Sequence, residues 1–129
     1  MRNGGQWTDA RFHSFITSGL RNTHSRWGPK AVCKRAAWVR RGVYKCGECG
    51  VEGPATLPPL EGNKRRRNNA CVDHIIPVVD PAYGFTDWNK YIDRMFVEVD
   101  NYQVLCYDCH KKKTKKERDI ATERRRNGK

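Results

Sequence analysis

The sequence predicts a small α+β chain: a strand pair followed by a helix, stapled by a four-cysteine metal site and preceded by a helical arm. Three observations predict it. Two Cys-x-x-Cys pairs, Cys46/Cys49 and Cys106/Cys109, are separated by 56 residues. Two runs rich in branched and aromatic residues, "CVDHIIPVV" and "YQVLC", have strand character, and the second leads into a long charged helix. Upstream, apolar residues recur at helical spacing.

Each element has a local cause. Thr8 is a natural N-cap for a first helix whose residues Phe12, Phe15, Ile16 and Leu20 share a face. The break "RWGP" follows, and Pro29 suits the first turn of a second helix. That helix is expected to run to about Arg40, with Val32, Ala36 and Val39 on one stripe and Gly42 as its stop. "YKCGECG" is a tight glycine-bearing turn, and "VEGPATLPPLEGNKRRRNNA" is mostly loop by its Pro, Gly and Asn content.

The strand "CVDHIIPVV" should end at the proline and the turn "DPAYG". Thr86 is expected to cap a short helix, "DWNKYIDRMF", with Trp88, Tyr91, Ile92, Met95 and Phe96 packed into the core. After "YQVLC", a last helix is expected from about Asp108 and should fray in "ERRRNGK". The expected division is an arm over 1–43, a core domain over 44–118 and a basic tail over 119–129.

Charge narrows the partner. The 129 residues carry a net +12 with 37% apolar content, so the core is small and needs a staple. Residues 111–129 hold ten Lys/Arg against three Asp/Glu, and "KRRR" occupies 64–67. Clustered cations of this kind favour a polyanion through counterion release, which points to DNA or RNA, with double-stranded DNA the expected partner. The helical arm, with Arg11, Arg21, Arg26, Lys30, Lys34, Arg35, Arg40 and Arg41, is either a second DNA-contacting surface or an ordinary solvated face. No membrane partner is expected, because no run approaches a spanning length and the basic runs lack an apolar helix face. The N-terminus has no signal-peptide pattern, so a reducing cytoplasm is expected and the six cysteines should be thiols or metal ligands.

The chemistry starts from those cysteines. A Cys-x-x-Cys turn lets two thiolates approach one ion from the same side, and two such turns complete a tetrahedral Zn²⁺ site. Cys46, Cys49, Cys106 and Cys109 are therefore the expected structural zinc ligands. Two other arrangements stay open. Cys46, Cys49, Cys71 and His74 also have ligand spacing, although residues three apart on a strand point to opposite faces. A redox pair is the other.

Asp73, His74 and His110 remain. Neighbours on a strand splay to its two sides, so the Asp73 carboxylate can hold a divalent metal while the His74 imidazole takes a proton from water. His110, one residue past the last cysteine, can supply a second ligand to that metal. His13 and His24 are expected to be hydrogen-bonded structural residues.

These residues carry a resemblance. "CGEC", "VDHIIPV" and "NYQVLCYDCHKKKT", in this order over residues 44–116, resemble the HNH (His-Asn-His) endonucleases of the ββα-metal class, in the version with two zinc knuckles. The opening "MRNGGQWTDARFHSFI" is similar to small HNH proteins encoded by tailed bacteriophages, which would place the chain in a host bacterial cytoplasm. The resemblance implies a β-hairpin and helix around a catalytic metal, and a DNA phosphodiester hydrolase that nicks one strand per active site. His74 would be the general base, and Asp73 with His110 would hold a catalytic Mg²⁺ or Mn²⁺. Asn101 would brace the loop and orient the base.

DNA contacts are expected from Lys64, Arg65, Arg66 and Arg67 and from Lys111, Lys112, Lys113, Lys115 and Lys116, of which about half can face the phosphates at once. With one catalytic constellation per chain, a monomer is favoured. The alternative is a zinc-stapled nucleic-acid-binding module without cleavage.

Overall fold

The computed structural model describes residues 1–128. It is a mixed α+β chain of four α-helices and small antiparallel sheets. Helix α1 (Asp9–His24) begins as the sequence predicts, with the Thr8 hydroxyl accepting from the Arg11 N–H at 3.2 Å. Helix α2 (Gly28–Ala36) carries Pro29 in its first turn, where the missing N–H is no loss.

The second helix stops short of its expected end. Residues Trp38–Arg40 form strand β1, which turns at Gly42 (φ +74°) into β2 (Val43–Lys45) and pairs Trp38 with Tyr44. An aromatic and a branched residue, Trp38 and Val39, sit before a glycine in the left-handed region, and together they favour a hairpin over a continued helix. Gly42 is thus a hairpin turn rather than a helix stop. Strand β3 (Glu52–Pro54) completes this sheet. The expected loop beyond it is partly ordered by a two-residue pair, β4 (Thr56–Leu57) with β5 (Arg67–Asn68).

The central pair is β6 (Cys71–His74) with β7 (Tyr102–Leu105), in the register Cys71↔Leu105, Val72↔Val104, Asp73↔Gln103 and His74↔Tyr102. Strand β6 is shorter than its apolar run suggests. Ile75 N–H still reaches the Asn101 carbonyl at 2.9 Å, but Pro77 has no N–H to give, and Ile75 and Ile76 are exposed. The two strands are therefore joined not by a tight turn but by residues 75–101, which include helix α3 (Trp88–Met95). Its cap is Asp87, not Thr86: the carboxylate accepts from Lys90 N–H at 2.8 Å. Tyr91 and Met95 are buried as the pattern predicts, whereas Ile92 is exposed. Helix α4 (Tyr107–Asn127) starts at the last knuckle and stays helical to Asn127, beyond the point where fraying is expected. Arg124, donating to the Pro81 carbonyl at 3.2 Å, ties its far end to the 75–101 excursion.

One core unites these parts. Cys33 of α2 is buried with Ala70, Tyr102 and Val104, and Trp27, Tyr44 and Val72 pack around them. The boundary expected at residue 43 therefore runs through a shared core. No described helix is long and apolar enough to cross a membrane.

Candidate metal centres and the histidine cluster

The four knuckle cysteines converge. The ligand atoms of Cys46, Cys49, Cys106 and Cys109 all lie within 4.8 Å of one another, with Cys49 Sγ and Cys106 Sγ 3.8 Å apart. Four sulfurs each ~2.3 Å from one tetrahedral ion would be about 3.8 Å apart. These cysteines can hold a structural metal ion such as zinc.

The backbone prepares the site. Gly50 adopts φ +76° to close the first knuckle, and Gly47 N–H donates to the Val104 carbonyl at 2.7 Å, docking that knuckle on β7. Burial raises the Cys46 thiol, but backbone N–H groups of Cys106, Cys49 and Glu48 overcome this and bring it to about 6. Cys109 is pushed up to about 12, by burial and then by the neighbouring sulfurs. One thiolate is favoured and further ones repel it, so a cation is what allows all four to ionise.

The arrangement through Cys71 and His74 falls away. Cys71 is buried and donates its thiol to the Asn68 carbonyl at 3.4 Å, while His74 belongs to a separate cluster.

That cluster lies on one face of β6–β7. Residues directly opposite in an antiparallel pair share a face, so His74 sits with Tyr102, and Asp73 sits with Gln103 on the reverse side. His74 Nε2 donates to the Met95 carbonyl at 2.7 Å, and Tyr102 OH donates to the same oxygen at 2.9 Å. His24, from the end of α1, then donates from its Nε2 to Tyr102 OH at 2.7 Å and stacks on His74 with ring centres 5.1 Å apart. His24 is buried, and its pKa falls to about 4, through burial first and then through Lys30 and His74 nearby. It is therefore neutral at pH 7. With Nε2 of His74 committed as a donor, Nδ1 is the ring nitrogen left as an acceptor.

On the reverse face, Asp73 Oδ1 is 3.9 Å from His110 Nε2. That is too long for a hydrogen bond. The carboxylate has other partners as well. Its Oδ2 is 3.0 Å from Lys113 Nζ and accepts from Gln103 Nε2 at 3.3 Å. Lys113 also reaches the His74 carbonyl at 3.0 Å and Glu117 at 2.6 Å. Burial works against its charge, but hydrogen bonds to Glu117 and Asp73 hold its pKa above the usual lysine value.

The remaining predicted residues separate. Asn101 ends a 3₁₀ turn (Val99–Asn101); its carbonyl holds Ile75, while its side chain is exposed and, among the described residues, makes no hydrogen bond to His74. Met95 O, Tyr102 and His24 hold the imidazole instead. The lysine run divides around α4. Lys111 and Lys115 line a groove of about 620 Å³ shared with Arg67, His110, Thr114 and Arg118, whereas Lys112 and Lys116 lie on the knuckle side and Lys113 turns inward. Arg67 is held by the Pro58 carbonyl at 2.9 Å and lies 4.6 Å over the Tyr107 ring. Arg66 bonds Thr56 at 2.9 Å, and Lys64 and Arg65 are exposed in the loop.

Tyr102 is a site residue that sequence reasoning missed, and His24, hydrogen-bonded and buried as expected, was not anticipated beside His74. Tyr102 had a usable signal, because pairing "CVDH" with "YQVL" in register sets it opposite His74. His24 had none, being 50 residues from His74 and on a helix rather than in the strand pair. Family models, curated proteins and solved structures give no match to this chain, so the site stands on its own geometry.

Proposed function

We propose that the chain is a metal-dependent HNH endonuclease that hydrolyses DNA phosphodiester bonds, nicking one strand per active site. The observation that carries this is the splay at β6. Asp73 and His110 converge on one side, while His74 is held on the other by its Nε2–H with Nδ1 left to act as base. His74 takes the proton of the attacking water; the Met95 carbonyl fixes its tautomer and supports the positive charge it gains. Asp73 and His110 would hold Mg²⁺ or Mn²⁺, which supplies charge stabilisation at the leaving oxygen. The groove beside His110, with Arg67, Lys111, Lys115 and Arg118, seats the phosphate backbone of the cut strand. Zinc in the four-cysteine cluster would fix the start of α4, and with it His110.

One observation favours a non-catalytic zinc-stapled nucleic-acid-binding module: Lys113 and Gln103 already satisfy the Asp73 carboxylate. The two are separated by incubating supercoiled plasmid with zinc-loaded protein, with and without added Mg²⁺ or Mn²⁺. Conversion to nicked circles only with added metal supports the nuclease. Retardation of the plasmid without cleavage under either metal supports the binding module.

A further inference from the structure

Away from the four-cysteine cluster and from Asp73 and His110, the β1–β2 hairpin displays an exposed aromatic residue with cations nearby. Trp38 is 54% exposed, on a strand whose three residues are all exposed. Cross-strand pairing with Tyr44 accounts for hairpin stability and for Tyr44, which packs at the edge of the core. It does not account for an open indole.

The groove beside Trp38 measures about 510 Å³ and is lined by Ala31, Lys34, Arg35, Trp38 and Tyr44, with no acidic side chain among its described lining residues. Lys34 Nζ lies 5.6 Å over the Tyr44 ring. Arg41 is exposed at the turn, and Arg40 beside it pairs with Glu52 at 3.5 Å. An exposed indole in a groove lined by Lys34 and Arg35 has the chemistry of a single-stranded nucleic-acid site: the base stacks on the aromatic ring and the phosphates meet the cations. A duplex buries its base faces and offers only phosphates and groove edges, which would leave Trp38 without a role.

We propose that Trp38, backed by Tyr44 and flanked by Lys34 and Arg35, is a stacking platform for an unpaired base. The platform binds a single-stranded segment of a nucleic-acid ligand, and it does so whether or not the chain cleaves. It gives the protein a preference for gapped, flapped or frayed DNA over a blunt duplex.

Fluorescence anisotropy on the full zinc-loaded chain, without added Mg²⁺ or Mn²⁺, tests this with two labelled ligands. One is a blunt duplex and the other is the same duplex with a single-stranded extension. The wild type should bind the extended ligand roughly tenfold more tightly, the size expected for one stacked base. Trp38→Ala should erase that preference while leaving the blunt-duplex affinity unchanged, and Trp38→Phe should keep part of it. Equal wild-type affinity for the two ligands, or an undiminished preference in Trp38→Ala, overturns the proposal. Should Trp38→Ala fail to fold, the exposed Arg35→Glu carries the same test: loss of the preference supports the platform, and its retention overturns it.

Discussion

Two regions secure the same pair of strands by different physics. At one end is the thiol cluster, in which Cys46 favours ionisation and Cys109 resists it, and which can hold a structural metal ion such as zinc. At the other, His24, His74 and Tyr102 are complete without an ion, because two rings donate to the Met95 carbonyl and the third donates to Tyr102. The thiol end leads into His110, and the histidine end fixes His74. A chain with a small core thus holds both proposed catalytic histidines, each by a staple of its own.

The contrast can be broken most severely at the thiol end. Cys106→Ser should release the bound metal and unfold the knuckle. Structural zinc contributes on the order of 10 kcal/mol in small zinc-dependent peptides, so this should be the largest loss. Zinc content by mass spectrometry with thermal melting checks it; full occupancy in the variant would refute the ligand assignment.

At the histidine end the effects should be smaller and independent of zinc. His24→Ala should destabilise by about 2–4 kcal/mol, through a buried cavity and the loss of the bond to Tyr102. Tyr102→Phe should lose about 1–2 kcal/mol. Both variants should retain full zinc, and urea melts with metal analysis would reveal any coupling between the two ends.

Acid sharpens the same point. The folded pKa of His24, about 4, lies below its ordinary 6.5, so the unfolded chain takes up the proton first. The stability due to neutral His24 is complete above pH 6.5, falls as the pH falls below it, and levels off near pH 4. The stability difference between wild type and His24→Gln should therefore shrink over that window, while the thiol cluster affects both proteins alike. A constant difference would show that His24 does not titrate in this way.

The mildest prediction separates the cations. Arg67→Ala should weaken duplex binding several-fold and reduce the dependence of log affinity on log salt by about one. Lys113→Ala should leave that slope unchanged, because Lys113 faces Asp73 and Glu117. Equal slopes for both variants would remove Arg67 from the phosphate path.

What could be read from the chain follows the range of the interactions. The Thr8 cap, Pro29 and the Cys-x-x-Cys turns are local, and each has the structure its spacing implies. The mixed α+β class follows from them and from the strand pair. The 38–45 hairpin was obscured because Val32, Ala36 and Val39 keep helical phase past Ala36, where the helix ends, and phase does not weigh a left-handed glycine against a helix. Nor could any periodicity anticipate which lysine of 111–116 turns inward, since that depends on where β6 sets Asp73 under α4. The nearness of His24 to His74 depends on how α1 and α2 pack, a long-range fact with no local sign.

The splayed pair at β6 is most directly tested by cleavage of supercoiled plasmid by zinc-loaded wild type and His74→Ala, each with added Mn²⁺, alongside their affinities for the same DNA. The wild type should nick the plasmid, and His74→Ala should lose about 10²-fold or more of that rate while binding DNA and zinc normally. Equal nicking by a folded His74→Ala would contradict the role of His74 and the division of labour across β6.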